Sequence, residues 1–177
     1  WPSRSCLAAF TAFFISIFFG HWFIKRLRAL KVGEDTTKTD SEELKRMHFD
    51  KKNTPTMGGI VIIVSILVSV LLWCNIYNEY ILLLMFTLIW FGVLGFIDDY
   101  IKLTQTKAAG LTDVSKLLFQ SALGLILGLI LYFHMKKFAW GTHVVIPLVK
   151  DFRPDLGPLY ILFVTFFIVG MSNAVNL

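Results

Sequence analysis

Five stretches, residues 5–24, 57–77, 80–97, 117–133 and 156 to about 171, run on in almost unbroken apolar sequence. A hydrocarbon core about 30 Å thick is crossed by about 20 such residues in helical form. Backbone amides in lipid must find partners within the protein, so only helices and closed barrels cross. A barrel strand would alternate polar and apolar residues, and these runs do not. The expected fold is therefore all-α: a polytopic transmembrane helical bundle, with residues 1–177 forming a single integral membrane domain. Composition agrees. The chain is 56% hydrophobic and 16% charged, with mean hydropathy +0.68, against roughly 45–50% and about 25% for soluble domains. The first run lacks the short apolar region and small-residue cleavage site of a secretory signal, and reads as a span. Cys6 and Cys74 lie in apolar runs without CxxC spacing, so neither a disulfide framework nor a zinc site is expected.

The charge of +5 collects between the oily runs. That pattern suits anionic lipid head groups and phosphorylated substrates better than nucleic acid, which is not expected as a partner. Orientation follows from Lys and Arg in the short loops. Nine lie between the first two runs and three between the third and fourth, twelve in all, against five on the opposite side (Arg4, Lys136, Lys137, Lys150, Arg153). Loops 25–56 and 98–116 are accordingly expected in the cytoplasm, with the N-terminus and the 134–155 loop outside. Gly124 and Gly128 form a G-x-x-x-G that would let helix backbones approach closely, or else two glycines merely tolerated in a membrane helix. Pro158, after Gly157, suits a helix start.

Three segments are chemically unusual, and all fall at expected cytoplasmic ends. "KKNTPTMGGI" (51–60) opens the second run with hydroxyls, a proline, two glycines and two cations, a cradle for phosphate or sugar, or a plain capped helix start. "GFIDDYIK" (95–102) closes the third run with Asp98 and Asp99. Side chains of adjacent helical residues point about 100° apart, so both grip one ion only if the helix ends or unwinds there. Otherwise one holds a metal and the other handles a proton. Mg²⁺ suits one or two carboxylates plus substrate phosphates, and Lys102 could pair with either acid or with a phosphate; an ordinary interfacial boundary is the plainer alternative. "MSNAVNL" (171–177) carries Asn173 and Asn176, three apart and on one face of a continuing helix. They could hydrogen-bond a base, ribose or amide, or simply mark a helix exit. Together the three point to a phosphorylated substrate handled at the inner leaflet.

"NTPTMGGI", "GFIDDYIK", "GLTDVSKLLFQ" and "NAVNL" together resemble the phospho-N-acetylmuramoyl-pentapeptide transferase family, the MraY translocases of bacterial peptidoglycan synthesis. The resemblance implies transfer of phospho-MurNAc-pentapeptide from UDP-MurNAc-pentapeptide to undecaprenyl phosphate. Lipid I and UMP would be the products, Mg²⁺ the cofactor, and the bacterial cytoplasmic membrane the location. It also implies that Asp98 and Asp99 are the catalytic and metal-binding pair, with Asp98 the candidate base. Lys51, Thr56, Lys102 and Asn176 would serve the substrate site, with Leu177 beside the uridine pocket; Asn173 is counted with them from its spacing to Asn176 alone. Which aspartate meets the metal stays open, as does oligomeric state, a homodimer included.

Asn53 stands where the family has glycine, and Lys107 is displaced by one position, so no role is carried to it. The chain starts at Trp1 and stops just before the family's next motif. It reads as the N-terminal half, five spans of about ten, with a further metal-binding aspartate and a histidine-rich cytoplasmic loop expected elsewhere, and the fragment alone is expected to be inactive. A related polyprenyl-phosphate GlcNAc-1-phosphate transferase is the alternative enzyme. An ion channel or transporter is the alternative outside enzymes, and it predicts ionisable groups at several membrane depths.

Overall fold

The computed structural model describes residues 2–29, 57–104, 110–138, 141–145 and 152–174. Among them are five α-helices: α1 (Pro2–Ala29), α2 (Gly59–Trp73), α3 (Glu79–Thr104), α4 (Asp113–Met135) and α5 (Leu159–Ala174). Each apolar run coincides with one helix, and the chain is all-α, as expected for a membrane bundle. By length and composition, α1, α3 and α4 can cross a membrane, whereas α2 and α5 are shorter apolar helices. The chain divides into two compact units, Trp1–Leu111 and Thr112–Leu177.

Helix ends differ from the edges of the oily runs for identifiable reasons. α2 stops at Trp73, four residues before its run ends, because Cys74 is extended (φ −93°, ψ 159°). Two asparagines then bend the chain. Asn75 Oδ1 accepts the Tyr77 N–H at 3.1 Å, and Asn78 Oδ1 accepts the Tyr80 N–H at 2.9 Å at the start of α3. Such local side-chain bonds compete with the helix and favour turns. At 15 residues and 1.5 Å per residue, α2 is about 22 Å long, short of a 30 Å core. α3 does the opposite and continues past Asp98 and Asp99 to Thr104. Lys102 lies in its last turn, where a cation complements the negative helix end.

In the first unit α1 packs on α2 through small residues. Gly20 faces Val61, where an added Cβ would stand 3.4 Å from Cγ1. Trp73 Nε1–H donates to Thr11 Oγ1 at 2.9 Å. Ser65 and Ser69 are buried and return their hydroxyls to Val61 O and Ser65 O, one turn back. α3 meets α2 where Gly92 accommodates Ile63.

In the second unit α4 and α5 pack backbone to backbone. A Cβ on Gly124 would lie 2.8 Å from Thr165 Cα, and one on Gly128 2.8 Å from Ile161 O. The G-x-x-x-G is thus a packing feature. Leu123 and Leu127 are buried beside it. Many other large apolar side chains, Phe18 (73%) and Phe166 (75%) among them, are exposed, as lipid-facing surfaces require. Beyond α4, Val144 N–H donates to Pro154 O and Leu156 N–H to Thr142 O. Gly157 (φ +48°) and Pro158 then lead into α5.

Candidate functional site

The aspartate pair sits inside α3, five to six residues before its end at Thr104. Because the helix neither ends nor unwinds at residues 98–99, the two carboxylates diverge. They take different partners. Asp98 Oδ1 accepts the Leu111 N–H at 2.7 Å, and Asp98 Oδ2 meets Lys102 Nζ at 2.9 Å. Asp99 Oδ2 accepts the Met57 N–H at 3.1 Å, while its Oδ1 is 4.0 Å from Lys102 Nζ. The Asp98 side chain is 15% exposed and that of Asp99 30%.

Lys102 follows from helix geometry, since residues three and four apart share a face. It sits closest to Asp98 and within reach of Asp99, so one cation partly offsets two adjacent anions. Such a helix pair contributes only about 0.3–0.5 kcal/mol to stability, so its larger effect is on where negative charge stands.

One backbone donor, Met57, is itself in left-handed backbone, and the other, Leu111, directly follows a residue that is. Met57 has φ +71° and Gly110 φ +92°, with Leu111 next in sequence. Met57 lies in the "TPTMGG" motif, so the motif and the aspartates meet through a main-chain N–H. The two glycines following Met57 have open space beside them. A Cβ on Gly58 or Gly59 would meet nothing within 4 Å. Gly58 is instead the N-cap of α2, without a side-chain cap. Neither the Met57 N–H nor the Leu111 N–H could be read from side-chain chemistry; a lone glycine at 110 was the one visible signal.

Asn173 belongs to the second unit. Its Nδ2 donates to Gln120 Oε1 and to Val169 O, each at 2.8 Å. Gln120 is 3% exposed and was not singled out from sequence, since a single glutamine in an oily run has no spacing to mark it. Lys51, Thr56, Asn176 and Leu177 lie outside the described residues, as do Asn53 and Lys107.

Among the described residues no three His, Cys, Asp or Glu side chains gather as a ready-made metal cage. The donor set fits Mg²⁺ in another way. Mg²⁺ is commonly held by one or two carboxylates, with substrate phosphates and waters completing the shell. Asp99 has one oxygen on a backbone amide and the other 4.0 Å from a lysine, and could serve as such a single ligand.

The phospho-N-acetylmuramoyl-pentapeptide-transferase signature 1 matches residues 51–63, the segment that contains Met57. The chain is 41% identical over 174 residues to the phospho-N-acetylmuramoyl-pentapeptide-transferase of Desulforapulum autotrophicum, a match covering 98% of this chain and 46% of that protein. The chain therefore spans about half the length of this relative. Over the part it spans, it belongs to the phospho-N-acetylmuramoyl-pentapeptide transferase family.

Proposed function

We propose that the protein containing this chain is a Mg²⁺-dependent transferase of bacterial peptidoglycan synthesis. It moves phospho-MurNAc-pentapeptide from UDP-MurNAc-pentapeptide to undecaprenyl phosphate. An oxygen of the lipid phosphate bonds to the sugar-bearing phosphorus, the diphosphate bond to UMP breaks, and UMP leaves. The observation that carries this reading is the meeting of the family signature with the aspartates, through the Met57 N–H and Asp99. Phosphoryl transfer asks mainly for positioning and charge neutralisation. Divergent carboxylates fixed by main-chain donors, with a shared lysine, supply both.

Within this reading Asp99 is a metal ligand. The bound ion supplies charge neutralisation at the diphosphate. Asp98, held by Leu111 and Lys102, is the family's candidate base for the lipid phosphate. Lys102 draws phosphate to the pair. Lys51, Thr56, Asn173, Asn176 and Leu177 serve the nucleotide-sugar side. The aspartates face the cytoplasm and the N-terminus lies outside, as the distribution of Lys and Arg, twelve against five, favours. Membrane lipids surround the exposed apolar faces, and the 177 residues alone are inactive because part of the site lies beyond them.

The test is Mg²⁺-dependent UMP release by the complete protein in membranes, given UDP-MurNAc-pentapeptide and undecaprenyl phosphate. We expect release in the wild type and a loss on the order of 10²-fold or more in both Asp98→Asn and Asp99→Asn. Near-normal release by both variants would refute the assignment. Consumption of UDP-GlcNAc instead would move the protein to the sister transferases. Release by the isolated 177 residues would overturn their inactivity.

A further inference from the structure

Gly110 and Leu111, beyond the end of α3, lie against its last turns. Gly110 has φ +92°, and a Cβ placed there would stand 2.5 Å from Asp98 Oδ1 and 2.8 Å from Lys102 Cε. One residue on, the Leu111 N–H donates to that same Oδ1 at 2.7 Å. Asp98 is thereby held on both oxygens, by a main-chain amide on one side and the Lys102 ammonium at 2.9 Å on the other. The amide can reach Oδ1 only because residue 110 brings its bare Cα against the carboxylate. Two independent features, a left-handed backbone and a contact that a Cβ could enter only by displacing the Asp98 and Lys102 side chains, single out glycine at this position.

We propose that Gly110 and Leu111 are positioning residues for Asp98. They lock the carboxylate against rotation, so that Asp98 and Lys102 stay paired and the carboxylates of residues 98 and 99 keep their divergent directions. Neither residue touches the reacting groups; both act through Asp98. The consequence for turnover rests on the transferase reading above, whereas the hydrogen bond itself does not.

The two parts separate by experiment on the complete membrane-embedded protein. Hydrogen exchange without substrate reads the bond directly. Asp98→Ala is expected to speed exchange of the Leu111 amide on the order of tenfold or more, and Asp99→Ala to leave it unchanged, because Asp99 is tied to Met57. Equal rates in wild type and Asp98→Ala, or an equal response to both variants, would overturn the proposal. UMP release then reads the consequence. Gly110→Ala is expected to lower kcat on the order of 10²-fold, with KM for the UDP substrate within about twofold. Gly110→Asn is the decisive companion, since asparagine accepts left-handed backbone more readily than most residues but carries a Cβ that must displace the Asp98 carboxylate. It should fail as alanine does. Restoration by asparagine would mean that glycine serves the turn alone, and unchanged kcat in both variants would remove the positioning role; either result overturns the proposal. A wild type that releases no UMP would sink the transferase reading, and the exchange result would still decide this one.

Discussion

The main-chain N–H of Met57 donates to Oδ2 of Asp99 across 42 residues of sequence, from a backbone at φ +71°. Left-handed backbone costs a residue other than glycine about 1–3 kcal/mol, so the contact holds a strained residue in place. Met57→Gly relieves that strain while keeping the N–H, and loses about 0.5–1 kcal/mol to chain entropy. Its thermal midpoint in detergent is therefore expected at or above that of wild type. Met57→Val, branched at Cβ and poorly suited to positive φ, should lower the midpoint and loosen Asp99. Indistinguishable midpoints for the valine and glycine variants would argue against a turn that needs φ > 0.

Glycines in the helices should divide by what surrounds them. Gly124→Ala and Gly128→Ala place a Cβ 2.8 Å from backbone atoms of α5, and backbone cannot yield as a side-chain tip can. Each is expected to destabilise the α4 and α5 pair by about 1–3 kcal/mol. Gly95→Ala and Gly170→Ala meet nothing within 4 Å, and helix preference alone should make them neutral or stabilising by up to about 1 kcal/mol. Thermal unfolding of the four variants in detergent checks the contrast, and a similar loss at all four positions would contradict it.

These cases show what sequence could and could not convey. Apolar run length located each of the five helices among the described residues, because burying backbone amides in lipid leaves few alternatives. It misplaced their ends. Helices do not stop at the first charge, as α3 shows by running through Asp98 and Asp99. Nor do they fill an apolar run when asparagines offer the backbone other bonds, as α2 shows at Asn75 and Asn78. For the site, residue type identified the acids and Lys102 sat at helical spacing from them. Their partners at Met57 and Leu111 are main-chain donors, and every residue except proline has one. Sequence alone cannot say which of them arrives.

Asn173 and Gln120 form a polar pair between α5 and α4, with Asn173 Nδ2 on Gln120 Oε1 at 2.8 Å. In an apolar helix pair such a bond contributes about 0.6–1.7 kcal/mol. Gln120→Leu leaves the Asn173 amide with Val169 O, whereas Asn173→Leu strips the buried Gln120 Oε1 of this donor. A double-mutant cycle on thermal stability is expected to return a coupling of about 1 kcal/mol, with Asn173→Leu the costlier single change. Strict additivity would show that the bond contributes nothing.

Asp155, in the loop before α5, should make that loop sensitive to acid. Thr142 donates its hydroxyl to Asp155 Oδ1, and Gly157 donates its N–H to the same oxygen at 3.0 Å. The Thr142 bond first, then the Gly157 amide, lower the Asp155 pKa from its ordinary 3.8; desolvation opposes them less strongly, and the charge of His143 lowers it by the least. A carboxyl whose folded pKa lies below its unfolded one favours the folded loop above the unfolded value, and loses that contribution as pH falls through the folded value. The loop is therefore expected to hold its Thr142 to Asp155 tie at neutral pH and release it only below 3.8. Carboxyl-carbon NMR of Asp155 should give a midpoint under that value, and Thr142→Val should raise it toward 3.8 by removing the largest cause. The Gly157 amide shift should follow the same titration in wild type and lose it in Asp155→Asn. A wild-type midpoint at or above 3.8 would mean that these donors do not favour the ionised acid.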